Sequence, residues 1–196
     1  MTRRFVRSLL ASQRGATIVE FALVLPIFLL LVLGICDLAQ MLYAKALLNG
    51  AVEQAGRSST TETADTTSAD TLVEASVAPI VPGATFTFKR VSYYDFTDVG
   101  RAEKFTDANS DGSCDNGEAY IDENGNGQWD ADVGASGNGG ADDIVVYTAT
   151  VTYTPLISVP LLANSENPVT LTAKSVRKNQ PFAVQTSYSS TTGTCT

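Results

Sequence analysis

From Ala16 to Ile35 the chain is apolar with a single charge, Glu20. About 20 such residues are enough to cross a roughly 30 Å hydrocarbon core as a helix. Beyond them Leu38, Met41, Leu42, Leu48, Val52 and Ala55 recur at helical spacing, with Gln40, Lys45, Asn49 and Glu53 between. Gly56 and the run Ser58-Ser59-Thr60-Thr61 end the pattern. One helix of about 40 residues is therefore predicted, residues 16–36 in lipid and 37–57 outside it. Pro26 removes one backbone hydrogen bond and marks a place for a kink. Val52 and Ala55 are expected to face the protein's own domain, and the Leu38 to Leu48 stretch to face neighbouring helices.

Residues 58–72 mix Ser, Thr, Ala and acids and read as a linker. Period-two alternation then marks three strands, Thr85 to Tyr94, Asp143 to Tyr153 and Val169 to Arg177. Val73 to Ile80 fits a short helix or a further strand equally. The expected class is α+β. A long N-terminal helix, transmembrane in its first half, packs on a small antiparallel sheet formed within residues 73–183. An Asp/Asn/Gly-rich insertion, 105–143, interrupts that domain, and a polar tail, 184–196, is expected to fray unless Cys195 is tied down.

Composition narrows the chemistry. The net charge of -8 argues against nucleic acid as a partner. Histidine, the commonest general base and metal ligand, is absent. No phosphate-binding glycine motif or Cys-His pair is present, so catalysis is not expected. Arg3, Arg4, Arg7 and Arg14 precede the apolar run with no acid among them. The positive-inside rule keeps such a leader, residues 1–15, cytosolic and sends the chain beyond the span outward, with the lipid bilayer as first partner. An ordinary secretory signal competes, but the run exceeds a 7–15-residue h-region and no small-x-small cleavage site comes after it.

A carboxylate within a membrane helix costs roughly 2.5–3.5 kcal/mol on insertion scales, so Glu20 calls for a partner. As a plain anchor, the helix would let Glu20 snorkel toward the cytosolic headgroups. The segment Arg14-Gly15-Ala16-Thr17-Ile18-Val19-Glu20-Phe21 points elsewhere. It resembles the class III prepilin signal of TadE-like proteins, the minor pilins or pseudopilins of the tight-adherence (Flp) pilus. Gly34 to Gln40, Ala51 to Arg57 and, more weakly, Lys178-Asn179-Gln180-Pro181-Phe182 resemble the same family. The resemblance implies cleavage between Gly15 and Ala16 by a prepilin peptidase. It implies pairing of Glu20, followed by Phe21, with the new α-amine at Ala16 of a neighbour or of the same chain. It also implies other minor and major pilins and an inner-membrane pilus platform as partners. The middle of the chain, about 95–143, departs from the compact family domain.

Within that departure, Asp107, Asn109, Asp111, Gly112, Ser113, Asp115 and Glu118 fall at positions 1, 3, 5, 6, 7, 9 and 12 of a calcium loop. Asp122, Asn124, Asn126, Gly127, Gln128 and Asp130 repeat the pattern through position 9, but position 12 is Val133, with Asp132 beside it. Ten of the 21 acids lie between Asp107 and Asp143, and no Lys or Arg occurs from Phe105 to Ala173. Calcium as a structural cofactor answers that repulsion; an Asp/Asn/Gly-rich soluble turn region is the plainer reading. Cys114 and Cys195 could pair, leaving Cys36 at the membrane boundary. The expected function is a minor pilin acting in assembly initiation or at the tip. The alternative is a membrane-anchored calcium-dependent adhesin.

Overall fold

The computed structural model describes residues 16–60, 65–155, 168–181, 185 and 187–196. Expectations for the leader, Gly15 and Phe182 lie outside the described residues. The chain divides into two compact units, Met1–Tyr43 with Thr154–Pro168, and Ala44–Tyr153 with Val169–Thr196.

Helix α1 runs from Ala16 to Ser58, with Pro26 inside it. In the first unit its large apolar side chains, among them Ile18, Phe21, Leu23 and Ile27, are exposed. The helix is long and apolar enough to cross a membrane, as a single-pass anchor requires.

In the second unit α1 buries Ala44, Leu48, Ala51, Val52 and Ala55, one stripe at helical spacing. Three of the five are alanine, so the helix backbone can approach the sheet closely. Gly56 goes further: a Cβ there would stand 2.6 Å from Ser175 Oγ. Glu53 pairs with Arg177, and Lys45 donates to the Thr172 carbonyl.

The predicted linker is shorter than its composition implied. Helix α2 occupies Thr66–Val77, which also resolves the ambiguity over Val73 onward. Asp65 caps it, its side chain accepting from the Thr67 and Ser68 backbone N–H groups. Ala69, Val73 and Val77 form its buried stripe.

The predicted strands are β1 (Thr85–Tyr93), β4 (Ile144–Tyr153) and β5 (Val169–Lys178). With the two-residue β3 (Ala135–Ser136) they form an antiparallel sheet in the order β3-β1-β4-β5. One face carries Phe86, Phe88, Tyr147, Ala149, Val151, Leu171 and Ala173. The other carries cross-strand threonine rows, Thr85–Thr152–Thr170 and Thr87–Thr150–Thr172. Helix α2 is fastened to the first face through Asp70. Its carboxylate accepts from Arg90 at 2.7 and 3.0 Å and from the Tyr147 hydroxyl at 2.6 Å. Burial, then that bond to Asp70, raises the Tyr147 phenol. Asp70→Ala would leave a largely buried guanidinium and hydroxyl without their acceptor. The expected cost is about 2–3 kcal/mol, read as a lower urea midpoint for the full chain in detergent.

The insertion does not stand apart from the sheet. Val133 is fully buried and joins Tyr93 and Ile144 in a small core on the threonine face, flanked by Val91, Val146 and Tyr188. Gly134 permits this docking, since a Cβ there would come 2.7 Å from the Tyr93 ring. The tail is ordered too: β6 (Thr191–Thr194) pairs antiparallel with β2 (Ala119–Asp122).

Candidate functional site

At the N-terminal end Ala16 is the first residue of α1, and Glu20 lies one helical turn later with Phe21 exposed beside it. Gly15, on the leader side of the expected cleavage, lies outside the described residues.

The acidic insertion is built from two loops folded alike. In the first, Asp107 Oδ1 accepts from the Ser110 and Asp111 N–H groups, and Oδ2 from Gly112 N–H at 3.0 Å. In the second, Asp122 Oδ1 accepts from Gly125 and Asn126 N–H, and Oδ2 from Gly127 N–H at 2.8 Å. Asn109 and Asn124 each accept from the backbone two residues on and donate their amide to Asp115 and Asp130 respectively, both at 2.9 Å. Asp111 and Asn126 accept from Ser113 and Gln128 N–H. Gly112 and Gly127 turn the chain at φ 82° and 81°, a left-handed conformation that glycine adopts freely.

The twelfth position separates the loops in sequence but not in space. Glu118 spans loop 1, Oε1 accepting from Ala108 N–H at 2.7 Å and Oε2 from Asp115 N–H at 2.9 Å. In loop 2 the corresponding work falls to Glu103, a residue upstream of both loops. Its Oε1 accepts from Glu123 and Asn124 N–H at 2.7 and 3.1 Å, and its Oε2 from Asp130 N–H at 3.1 Å. Glu103 is 1% exposed. Val133 is committed to the core instead. Asp132 accepts from the Tyr93 hydroxyl at 2.9 Å, and burial followed by that bond pushes the phenol up to about 12.

This crossing stems from an internal repeat. Glu103-x-Phe105-x-Asp107-x-Asn109-x-Asp111-Gly112 recurs fifteen residues later as Glu118-x-Tyr120-x-Asp122-x-Asn124-x-Asn126-Gly127. The two Glu-to-Asp segments lie antiparallel, joined at Phe105 and Tyr120 and by Thr106 N–H to Ala119 O and Ile121 N–H to Lys104 O, both 2.8 Å. Each glutamate therefore sits beside the other repeat's aspartate and serves the other repeat's loop. Counting from Asp107 finds half of this repeat; counting from Glu103 finds all of it.

The neighbouring Glu123 has a different role. It is held by Arg101 at 2.7 Å and Lys104 at 3.0 Å. Burial pushes its carboxyl up, but the hydrogen bonds from these two cations outweigh that and hold it below the usual range. Charge at Glu123 is thus answered within the protein. Backbone N–H groups answer Glu103 and Glu118, and backbone N–H groups with asparagine amides answer Asp107, Asp111, Asp115, Asp122 and Asp130. Among the described residues, no three acidic, cysteine or histidine side chains converge as a ready-made metal cage. What the loops bring together is a set of hard oxygen donors around two like turns.

Cys114, the eighth residue of loop 1, is disulfide-bonded to Cys195, their Cα atoms 5.9 Å apart. The tail thereby borders the loop: Cys195 N–H donates to Glu118 O and Gly117 N–H to Cys195 O, both at 2.9 Å. Cys36 is free and exposed on α1.

No curated protein and no solved structure matches the chain. Residues 15–57 match the family model described as TadE-like protein, a stretch that takes in Gly15, Ala16, Glu20 and nearly all of α1. Over this N-terminal segment the chain is similar to TadE-like proteins.

Proposed function

We propose that this protein is a minor pilin, or pseudopilin, of a tight-adherence pilus, a structural component acting in assembly initiation or at the tip. Helix α1 anchors it in the bacterial cytoplasmic membrane with the N-terminus cytoplasmic and the second unit outside. A prepilin peptidase removes residues 1–15. The observation that carries this reading is the position of Glu20, one helical turn beyond Ala16 at the head of the helix's apolar stretch, 16–35. Cleavage after Gly15 creates an amine at Ala16, and a carboxylate in lipid needs such a partner. Other minor and major pilins and the inner-membrane platform are then the partners that receive it. The Cys114–Cys195 disulfide supports an oxidising, extracytoplasmic setting for the second unit. The test is intact-mass spectrometry of the protein from hosts with and without the peptidase. The mass is expected to fall by residues 1–15 only where the peptidase is present; an unprocessed chain in both hosts would overturn the reading.

Two structural calcium ions are part of the proposal. The first would take Asp107, Asn109, Asp111, the Ser113 carbonyl, Asp115 and Glu118. The second would take Asp122, Asn124, Asn126, the Gln128 carbonyl, Asp130 and Glu103. The like bonding around Asp107 and Asp122 supports treating the loops as a pair, and a half-turn of either asparagine amide presents oxygen in place of nitrogen. Calcium would order the insertion and leave no reaction to catalyse.

The docking of the insertion on the sheet favours a second reading, a membrane-anchored calcium-dependent adhesin. Deleting the gene separates the two. Loss of pili under the electron microscope supports the pilin, and loss of attachment with pili intact supports the adhesin.

A further inference from the structure

Among the described residues, five side chains carry a buried polar atom with no protein hydrogen-bond partner, and four of them line one small cavity. The four atoms are Asn138 Oδ1, Ser175 Oγ, Arg177 Nε and Asn179 Oδ1. The cavity measures about 10 Å³ and is closed on the helix side by Gly56 and Ser59. Ser175 is 1% exposed and Asn179 4%. A polar group orphaned at such depth has given up its hydration with no hydrogen bond in return.

The amide orientations are fixed by other bonds. Asn179 Nδ2 donates to the carbonyls of Asn138 and Gly140, both at 2.8 Å, and Asn138 Nδ2 donates to the Ser59 carbonyl at 2.7 Å. Flipping either amide would set oxygen against carbonyl oxygen, so both Oδ1 atoms stay unpaired by any rearrangement within the protein. Arg177 is turned the same way, its terminal nitrogen spent on Glu53 and its Nε–H left over.

We propose that this cavity holds one ordered water molecule as a structural ligand. The four atoms match water's capacity in kind as well as number. The water accepts from Arg177 Nε–H and the Ser175 hydroxyl, and it donates to Asn138 Oδ1 and Asn179 Oδ1. A cation is opposed by the guanidinium, an anion by the two carbonyl oxygens. The volume is that of one water and excludes a larger molecule. The site ties the last turn of α1, the glycine-rich turn before β4 and the end of β5 through a single molecule. It also gives Gly56 a reason beyond close packing, because a methyl group there would press on Ser175 Oγ.

The test is nuclear Overhauser spectroscopy of the full chain in detergent micelles, reading water cross-peaks at the Arg177 Nε–H and at the Ser175 and Asn179 amides. Long-lived cross-peaks at all three are expected in the wild type, with the Arg177 Nε–H peak lost in Gly56→Ala. A wild type without these cross-peaks would overturn the proposal. So would a Gly56→Ala protein that folds and retains the peak. Should Gly56→Ala not fold, a high-resolution crystal structure of the wild-type chain decides. One peak within hydrogen-bond reach of the four atoms supports the water, and a dry cavity or an anomalous halide peak refutes it.

Discussion

Calcium at a hundred times its dissociation constant is expected to raise the melting temperature of the full chain by roughly 10–20 °C, and chelation to reverse the shift. Each ion bound only by the folded state adds about 2.7 kcal/mol at that excess. Two ions add about 5, and a chain of this size gains roughly 2–4 °C per kcal/mol. The sharper part of the expectation concerns Glu103. Glu118→Gln should abolish the first site and leave the second. Glu103→Gln should do the converse, although Glu103 lies outside every calcium-loop pattern in the sequence. Each substitution removes the charge and keeps one oxygen for the backbone N–H groups, but sets an amide nitrogen against the N–H that met the other oxygen, so each variant should melt lower than the wild type in chelator, by about 1–3 kcal/mol of stability. Calorimetric titration in detergent reads the stoichiometry, expected to be two in the wild type and one in either variant. No calcium heat in the wild type would refute calcium binding. A stoichiometry of two in Glu103→Gln would refute the crossed arrangement alone.

Legibility in the sequence depends on whether a pattern has a regular period. Helix α1 can be read because its apolar run and its outer stripe both exceed ten residues, long enough for periodicity to speak. Strands β1, β4 and β5 can be read because Thr alternates with apolar residues along each. Helix α2 cannot, since its buried stripe is Ala69, Val73 and Val77 in a background of Ser and Thr that composition alone assigns to a linker. Its true signal is local, an Asp at 65 ahead of three hydroxyl residues. Val133 reads as a failed ligand when loop spacing is the only frame. Its burial against Tyr93 and Ile144 is a long-range contact that no window contains. Glu103 is hidden by the choice of starting residue. The fifteen-residue repeat is present, but a template that begins at aspartate discards the glutamate four positions earlier.

Breaking the Cys114–Cys195 bond should carry the largest single effect on stability and should act more strongly on the first loop than on the second. The bond spans 81 residues. A loop of that length gives an upper value of about 4.5 kcal/mol from the entropy of the unfolded chain. The local consequence is more specific. With the bridge intact, Cys195 exchanges two backbone hydrogen bonds with Gly117 and Glu118, which fixes the main chain at the twelfth position of loop 1. Releasing the tail removes about 1–2 kcal/mol of that restraint, a weakening of calcium affinity by roughly five- to thirty-fold. Loop 2 takes its glutamate from position 103 and meets the tail at its first two residues, where Asp122 pairs with Thr191 and Ser189 N–H donates to Glu123 O, farther from the bridge. In a Cys36→Ser background, which removes the other thiol, reductant should therefore weaken the single site of Glu103→Gln more than that of Glu118→Gln. Equal weakening of both would mean that reduction loosens the insertion as a whole. No change in either would mean that the tail contributes nothing to the loop it borders. The asymmetry is the quantity to measure, because general destabilisation cannot produce it.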